Sequence, residues 1–269
     1  MSHPELNATV ISRMDVTPQM IILRIAPDGW ELPEFHAGQY AMVGLPSSAP
    51  RCDNSEQESD QSDRFLTRSY SVASSAKPRS FVEFFITLVP DGAMSPRIFA
   101  LQTGDKVWLS KNMTGFFTFQ KVPENSNVIL LATGSGISPC MGMVRTHLTL
   151  HSGRRIILVH GSRSSNELAY RSELIALDRM IDNFNYVETI SRPDDEPVKW
   201  QGRTGYIQDV WRDGTIDSLW GFHPSPDNTH VFVSGNPAMC DEVTKLLVDE
   251  SFSEHTFKEP GELHLERFW

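Results

Sequence analysis

The segment Arg68-Ser69-Tyr70-Ser71-Val72 puts a cation, a phenol ring and two hydroxyls on one short extended stretch. That set suits a flavin nucleotide. An arginine pairs with a pyrophosphate, a ring stacks on an isoalloxazine, and a hydroxyl reaches its reactive edge. About sixty residues on, Ala132-Thr133-Gly134-Ser135-Gly136-Ile137-Ser138-Pro139 sets a glycine turn between an apolar run and a helical pattern. Backbone amides at such a turn suit the pyrophosphate of a second nucleotide. The turn reads G-x-G-x-x-P, so it is not the G-x-G-x-x-G dinucleotide fingerprint. Alone, each segment is compatible with an ordinary half-buried strand or a plain strand-to-helix turn. Together, in this order, they imply electron transfer between a nicotinamide and a flavin.

The elements that must position these residues change character midway. In the first half, residues 9–14, 20–25, 40–45, 69–73, 81–89 and 107–109 are rich in β-branched and aromatic types, with Pro, Gly, Asn and Asp between them. Many short strands with polar turns predict a small closed antiparallel barrel. One helix interrupts them, with Ser95 as its expected N-cap, Pro96 at its first position and Gly104 at its stop. In the second half, strands at 128–132, 155–160, 185–190 and 230–233 alternate with helices at 139–150, 167–180, from 206, and 238–250. That alternation predicts a doubly wound parallel sheet. The polar stretch around Pro123, Asn125 and Ser126 divides the chain into domains 1–122 and 123–269.

Residues 47–63 fit neither pattern. They carry Asp53, Glu56, Glu58, Asp60 and Asp63 against Arg51, with almost no apolar residue to order them. The segment reads as a solvated insertion, an acidic lid or a partner-docking loop, and its base is expected near the flavin because it leads into Arg68.

Composition narrows the class. The 269 residues suffice for two ordinary domains, and no run of apolar residues is long enough to span a membrane. The polar start lacks a signal-peptide pattern, so the cytoplasm is expected. A net charge of −10 argues against nucleic acid as a partner. Cys52, Cys140 and Cys240 are too few and too scattered for a disulfide framework or an iron–sulfur cluster, and no metal is expected. Cys140 and Cys240 read as small buried residues.

From Ala37 to Trp269 the chain resembles the bacterial ferredoxin (flavodoxin)–NADP reductases. Arg68, Tyr70 and Ser71 match the family's R-x-Y-S. Val89-Pro90-Asp91-Gly92-Ala93-Met94-Ser95-Pro96-Arg97 is similar to V-P-D-G-x-x-S-P-R, and Gly115-Phe116-Phe117 to G-x-F. Residues 131–139 resemble L-A-T-G-T-x-I-x-P, Ser234-Gly235-Asn236-Pro237-Ala238-Met239 resembles C-G-N-P-x-M, and Glu266-Arg267-Phe268-Trp269 resembles E-x-Y-W.

The resemblance implies a six-stranded antiparallel FAD barrel, a parallel NADP domain, and a C-terminal tail that returns to the FAD. FAD would be held by Arg68, Ser69, Tyr70, Ser71, Phe84, the amides of Ala93, Met94 and Ser95, Thr133, Ser135, Phe268 and Trp269. NADP(H) would be held by Gly134, Gly136, Ser162, Arg163, Ser191, Arg192, Arg203, Gly235 and Asn236. Arg163 and Arg192 follow strands at the carboxyl edge of the sheet, where cations select the 2′-phosphate. The family's third cation aligns with Tyr206, and Arg203 stands nearby as a substitute. Ser71, Glu266 and Ser234 take the catalytic places, with Ser234 replacing the usual cysteine.

The implied partner is a ferredoxin or flavodoxin, taken by a monomer through a basic patch for which Arg97, Lys111 and Arg145 are the candidates. Two other enzymatic readings use the same fold: the reductase component of an oxygenase, and a ferric-siderophore reductase. A non-catalytic flavin-binding electron-transfer subunit is a third, against which Arg163 and Arg192 speak.

Overall fold

The computed structural model describes residues 3–56, 62–149 and 153–268. It divides into two compact units, Met1–Thr118 with Met141–Thr146, and Phe119–Cys140 with His147–Trp269.

The first unit contains β1 (Ala8–Thr17), β2 (Met20–Pro27), β3 (Tyr40–Pro46), β4 (Phe65–Ser71), β5 (Val82–Thr87), α1 (Ser95–Ala100) and β6 (Lys106–Thr114). The strands form one antiparallel sheet in the order β4-β3-β6-β1-β2-β5. Just beyond β4, Ala73 N–H donates to Glu83 O in β5 at 2.8 Å, so the two edges meet as a barrel requires. Inward-facing Ile21, Leu23, Ile25, Val43, Phe84 and Leu109 are buried beside Ile98 of α1. Each such side chain contributes about 1.5–3 kcal/mol when fully buried.

Three local expectations shift. Strand β4 starts at Phe65, because its register with β3 runs from Pro46↔Phe65 to Tyr40↔Ser71. Residues 47–64 are therefore the hairpin connection between two neighbouring strands. Strand β6 extends to Thr114 through a bulge opposite Ala41–Val43, where Met42 N–H donates to Ser110 Oγ at 3.2 Å. Its polar Ser110-Lys111-Asn112 run hides this continuation in the sequence. The helix α1 is capped at Met94 rather than Ser95, and it ends at Ala100. The Ser95 hydroxyl instead closes the preceding loop, accepting from Val89 N–H at 2.9 Å. Gly104, at φ +100°, belongs to the turn into β6.

The second unit contains β7 (Asn127–Thr133), α2 (Ile137–His147), β8 (Ile156–Ser162), α3 (Arg171–Met180), β9 (Phe184–Ile190), β10 (Arg203–Thr204), α4 (Ile207–Arg212), α5 (Thr215–Trp220), β11 (Thr229–Gly235), α6 (Pro237–Asp249) and β12 (Leu263–Arg267). Its sheet is parallel throughout, in the order β10-β9-β8-β7-β11-β12. The central strands are near-continuous apolar runs because helices cover both faces, and Val128, Ile129 and Leu130 have no exposure. Strand β12 is an element the sequence pattern does not reveal. Five residues at a sheet edge give too short an alternation to stand out. Among the described residues, no helix is long and apolar enough to cross a membrane.

Candidate functional site

In the first unit, the pleat of β4 decides which side chains share a face. Arg68 and Tyr70 lie on one side, with Ser69 and Ser71 on the other. Arg68 is exposed, and its Nη1 donates to Thr67 O at 2.8 Å, which leaves most of the guanidinium fork available. Tyr70 is half-buried against the barrel core. Burial pushes its phenol above the ordinary range, against the opposing charge of Arg68. Ser69 is exposed and Ser71 is buried at the end of the strand. Phe84 requires a correction. Its ring has no exposed surface and packs behind Tyr70 with centroids 6.0 Å apart, so it supports the stacking ring and offers none of its own.

The loop before α1 offers a second feature of an anion site. Among the described residues, the backbone N–H groups of Ala93 and Met94 find no acceptor. Two unpaired amides beside an arginine-bearing strand fit a diphosphate group.

Ala73 and Ser74 are held by Glu83, whose carboxylate is buried. Glu83, 1% exposed, receives Arg24 Nε at 2.7 Å and Arg145 Nη1 at 2.6 Å. Its backbone O accepts from Ala73, and its N–H donates to Ser74 Oγ at 3.1 Å. Arg145 Nη1 also donates to Ala73 O at 2.8 Å. Burial raises the Glu83 pKa, but the charges and hydrogen bonds of Arg145 and Arg24 outweigh it and hold the carboxyl below its ordinary range.

This arrangement corrects the expected basic patch. Arg145 is spent on Glu83 and Ala73, and Arg97 is 3% exposed. Only Lys111 of the three candidates is exposed, and its Nζ lies 5.6 Å from the Trp30 ring. The acidic connection after β3 is also not simply solvated. Ala49 and Cys52 pack on the barrel core, and Cys52 N–H donates to Pro96 O at 3.0 Å. Asp53 and Glu56 are placed; residues 57–61, with Glu58 and Asp60, lie outside the described residues.

In the second unit, Gly134, Ser135 and Gly136 form a single 3₁₀ turn between β7 and α2, so the helix begins two residues earlier than expected. Gly134 sits at φ +53° with open space where a Cβ would be. A Cβ on Gly136 would lie 2.2 Å from Ser234 O, and one on Gly235 would lie 2.3 Å from Thr133 Oγ1. Glycine at both places lets the turn press against the end of β11. Asn236 Oδ1 then accepts from Ala238 N–H at 2.9 Å and caps α6. Ser234 has no exposure, and its Oγ has no partner among the described residues. A buried hydroxyl left unpaired costs about 1–3 kcal/mol, which a bound ligand group would relieve.

Glu266 pairs with Ser234 in the β11–β12 register, and Phe268 N–H donates to Gly235 O at 3.0 Å. Strand β12 thus sets two of the proposed catalytic side chains beside the nucleotide turn. Trp269 lies outside the described residues. Cys140 and Cys240 are fully buried. Burial pushes the Cys240 thiol up to about 11 and raises Cys140 still further, with the Glu266 charge adding to the latter. Neither thiol is a ready nucleophile at neutral pH.

The 2′-phosphate candidates meet at the carboxyl edge of β8 and β9. Ser162 O accepts from Ser191 N–H at 3.0 Å, and Arg163 O accepts from Arg192 N–H at 2.8 Å, so the two arginines stand side by side. Arg192 is exposed. Arg163 is forked onto Glu167, with Nη2 to Oε1 at 2.6 Å and Nε to Oε2 at 3.2 Å. The pair orients the guanidinium while leaving its side chain 52% exposed. Arg203 is corrected here. Its guanidinium is bound to Asp213 and, at 3.0 Å, to Thr215 Oγ1, so it braces the α4–α5 corner. Tyr206, 62% exposed, is left at the third position.

One residue escaped the pattern reading as a brace of this site, although its charge was counted toward a docking patch. Arg145 has no sequence signal, because a lone arginine on a helix gives none.

Two family models match the chain. The Oxidoreductase FAD-binding domain covers residues 56–119, and the Oxidoreductase NAD-binding domain covers residues 130–245. A ferredoxin–NADP reductase of Pseudomonas aeruginosa is 29% identical over 245 residues, 87% of this chain and 86% of that protein. A flavodoxin/ferredoxin–NADP reductase of Escherichia coli is 27% identical over 236 residues, 87% of this chain and 88% of the other. The crystal structure of a ferredoxin NADP+ reductase from Neisseria gonorrhoeae with bound FAD and NADP shares the fold, with a TM-score of 0.79 and 24% identity across 97% of each chain.

Proposed function

We infer, from a chain that belongs to the bacterial ferredoxin (flavodoxin)–NADP reductase family, that this protein moves electrons between NADPH and a small electron-carrier protein, a ferredoxin or a flavodoxin. One observation carries the reading. The chain holds two nucleotide cradles of different build: unpaired amides beside Arg68 and Tyr70 in one unit, and a glycine turn beside an unpaired Ser234 hydroxyl in the other.

Bound FAD would supply the conversion between the two-electron hydride chemistry of NADPH and the one-electron chemistry of the carrier protein. Arg68 and the N–H groups of Ala93 and Met94 hold its diphosphate, and Tyr70 presents a ring to its isoalloxazine. Ser71, two residues before the anchored Ala73, offers a hydroxyl at the end of the same strand. In the second unit, the turn at 134–136 takes the NADPH pyrophosphate. Arg163 and Arg192 take the 2′-phosphate, and Ser234 and Glu266 stand at the nicotinamide.

The test is a rapid-mixing experiment on the FAD-loaded protein. NADPH should bleach the flavin's visible absorbance, and oxidised ferredoxin or flavodoxin should restore it. A flavin that NADPH does not reduce, or that neither carrier reoxidises, would overturn the assignment. The Glu266→Gln variant isolates one role within it. The amide keeps the side chain's size and removes its charge and basicity. Turnover is expected to fall roughly tenfold with the FAD dissociation constant nearly unchanged, as for a group acting only in the proton or hydride step.

A further inference from the structure

Arg51 has no part in the functional reading, yet it reaches the loop where the FAD diphosphate would lie. Its Nη1 donates to Gly92 O at 3.0 Å and its Nη2 to Pro90 O at 3.1 Å. The main chain around it is fixed to the same place, through Cys52 N–H to Pro96 O and Glu56 N–H to Pro90 O, each at 3.0 Å. Arg97 answers from α1. Its Nη1 donates to Ala93 O at 2.6 Å and its Nε to Ser47 O at 3.1 Å. The carbonyls of Pro90, Gly92 and Ala93 are therefore all claimed by the β3–β4 connection or by Arg97.

The direction of those carbonyls decides the direction of the amides. A trans peptide points its C=O and its N–H to opposite sides. Holding Gly92 O toward Arg51 turns the Ala93 N–H away from Arg51. Holding Ala93 O toward Arg97 does the same for Met94. Neither of these two N–H groups finds an acceptor among the described residues. Without the clamp, a loop with glycine at position 92 could turn its peptide planes cheaply. With it, the donors are already ordered when an anion arrives, so binding loses less entropy.

We propose that Arg51 is a positioning residue for the FAD diphosphate: by holding the Gly92 carbonyl it aims the Ala93 amide at the anion, beside the Met94 amide that Arg97 aims through Ala93 O. The proposal rests on the FAD reading above. It also gives the base of the acidic connection, residues 47–56, a task in cofactor binding.

The test compares the parent, Arg51→Ala and Arg51→Lys proteins, each stripped of flavin and titrated with FAD. The alanine variant should bind FAD about tenfold more weakly, the scale of one charge-assisted contact. Its apoprotein should melt where the parent apoprotein does, and its bound flavin should show the parent's visible spectrum, because the change lies at the phosphate end. Lysine, a single point donor, cannot fork onto two carbonyls and should recover only part of the loss. Equal FAD affinity in parent and alanine variant would overturn the proposal alone. So would an apoprotein destabilised as much as the holoprotein, which marks a purely structural role. A parent that holds no FAD would overturn the functional reading and this proposal with it.

Discussion

Replacing Arg163 and Arg192 together by alanine is expected to lower kcat/KM for NADPH by about 100- to 1,000-fold while leaving NADH within a few-fold of the parent. Both arginines end strands of the parallel sheet, and a backbone bond of 2.8 Å between Arg163 O and Arg192 N–H sets them side by side. Two guanidiniums can grip one dianionic phosphate, and NADH has no phosphate there to lose. The singles should differ. Arg192 is exposed and should give a clean loss. Arg163 is forked onto Glu167, so removing it also leaves a carboxylate, 13% exposed, without its cation at the place a phosphate would approach. That carboxylate repels the 2′-phosphate, and Arg163→Ala is expected to be the more damaging of the two. Steady-state ferricyanide reduction with each nucleotide checks this. Equal losses for NADPH and NADH would show that the pair serves the fold rather than the phosphate.

The same site shows what a sequence can and cannot carry. The glycine turn at 134–136 and the R-S-Y-S strand are legible because their chemistry is local. Glycine is required where Gly136 meets Ser234 O, and the strand alternation at 65–71 is set by neighbours in the chain. The family's third cation is not legible, because Arg203 and Tyr206 lie three residues apart and the choice between them is made far away. Asp213 and Thr215 claim Arg203 only once α4 and α5 are folded. Arg97 and Arg145 fail for the same reason. A sequence shows their charge, whereas the partners that take that charge inward, Ser47 O and Glu83, are 50 and 62 positions away. Strand β12 fails for another reason. A parallel edge strand is fixed by hydrogen bonds to β11, and its five residues carry little pattern of their own.

Glu83→Ala should be the most destabilising single change considered for the first unit, costing about 3–5 kcal/mol. The carboxylate is 1% exposed and is shared by two guanidiniums, so its loss leaves two cations facing a cavity. The burden is uneven. Arg24 is 44% exposed and can turn to water, where its pairing was already screened. Arg145 is 17% exposed and reaches water less readily, so most of the cost falls there. Acid should reproduce part of the effect in the parent. The folded carboxyl titrates below its ordinary value of 4.5, so the unfolded chain takes up the proton first as pH falls. The stabilisation is therefore complete above about pH 4.5 and is lost as pH drops through the lower folded value. The alanine variant should lose this limb of the stability profile. Glu83→Gln, which keeps an acceptor but no charge, should lie between the two. Urea unfolding at neutral and acid pH measures both quantities. A functional consequence follows from the same bonds. Ala73 and Ser74 are tied to residue 83 and Arg145, and Ser71 precedes them by two residues. Loosening that corner should weaken flavin binding even under conditions where the variant is fully folded. An alanine variant with parental stability and parental FAD affinity would show that the buried triad is idle.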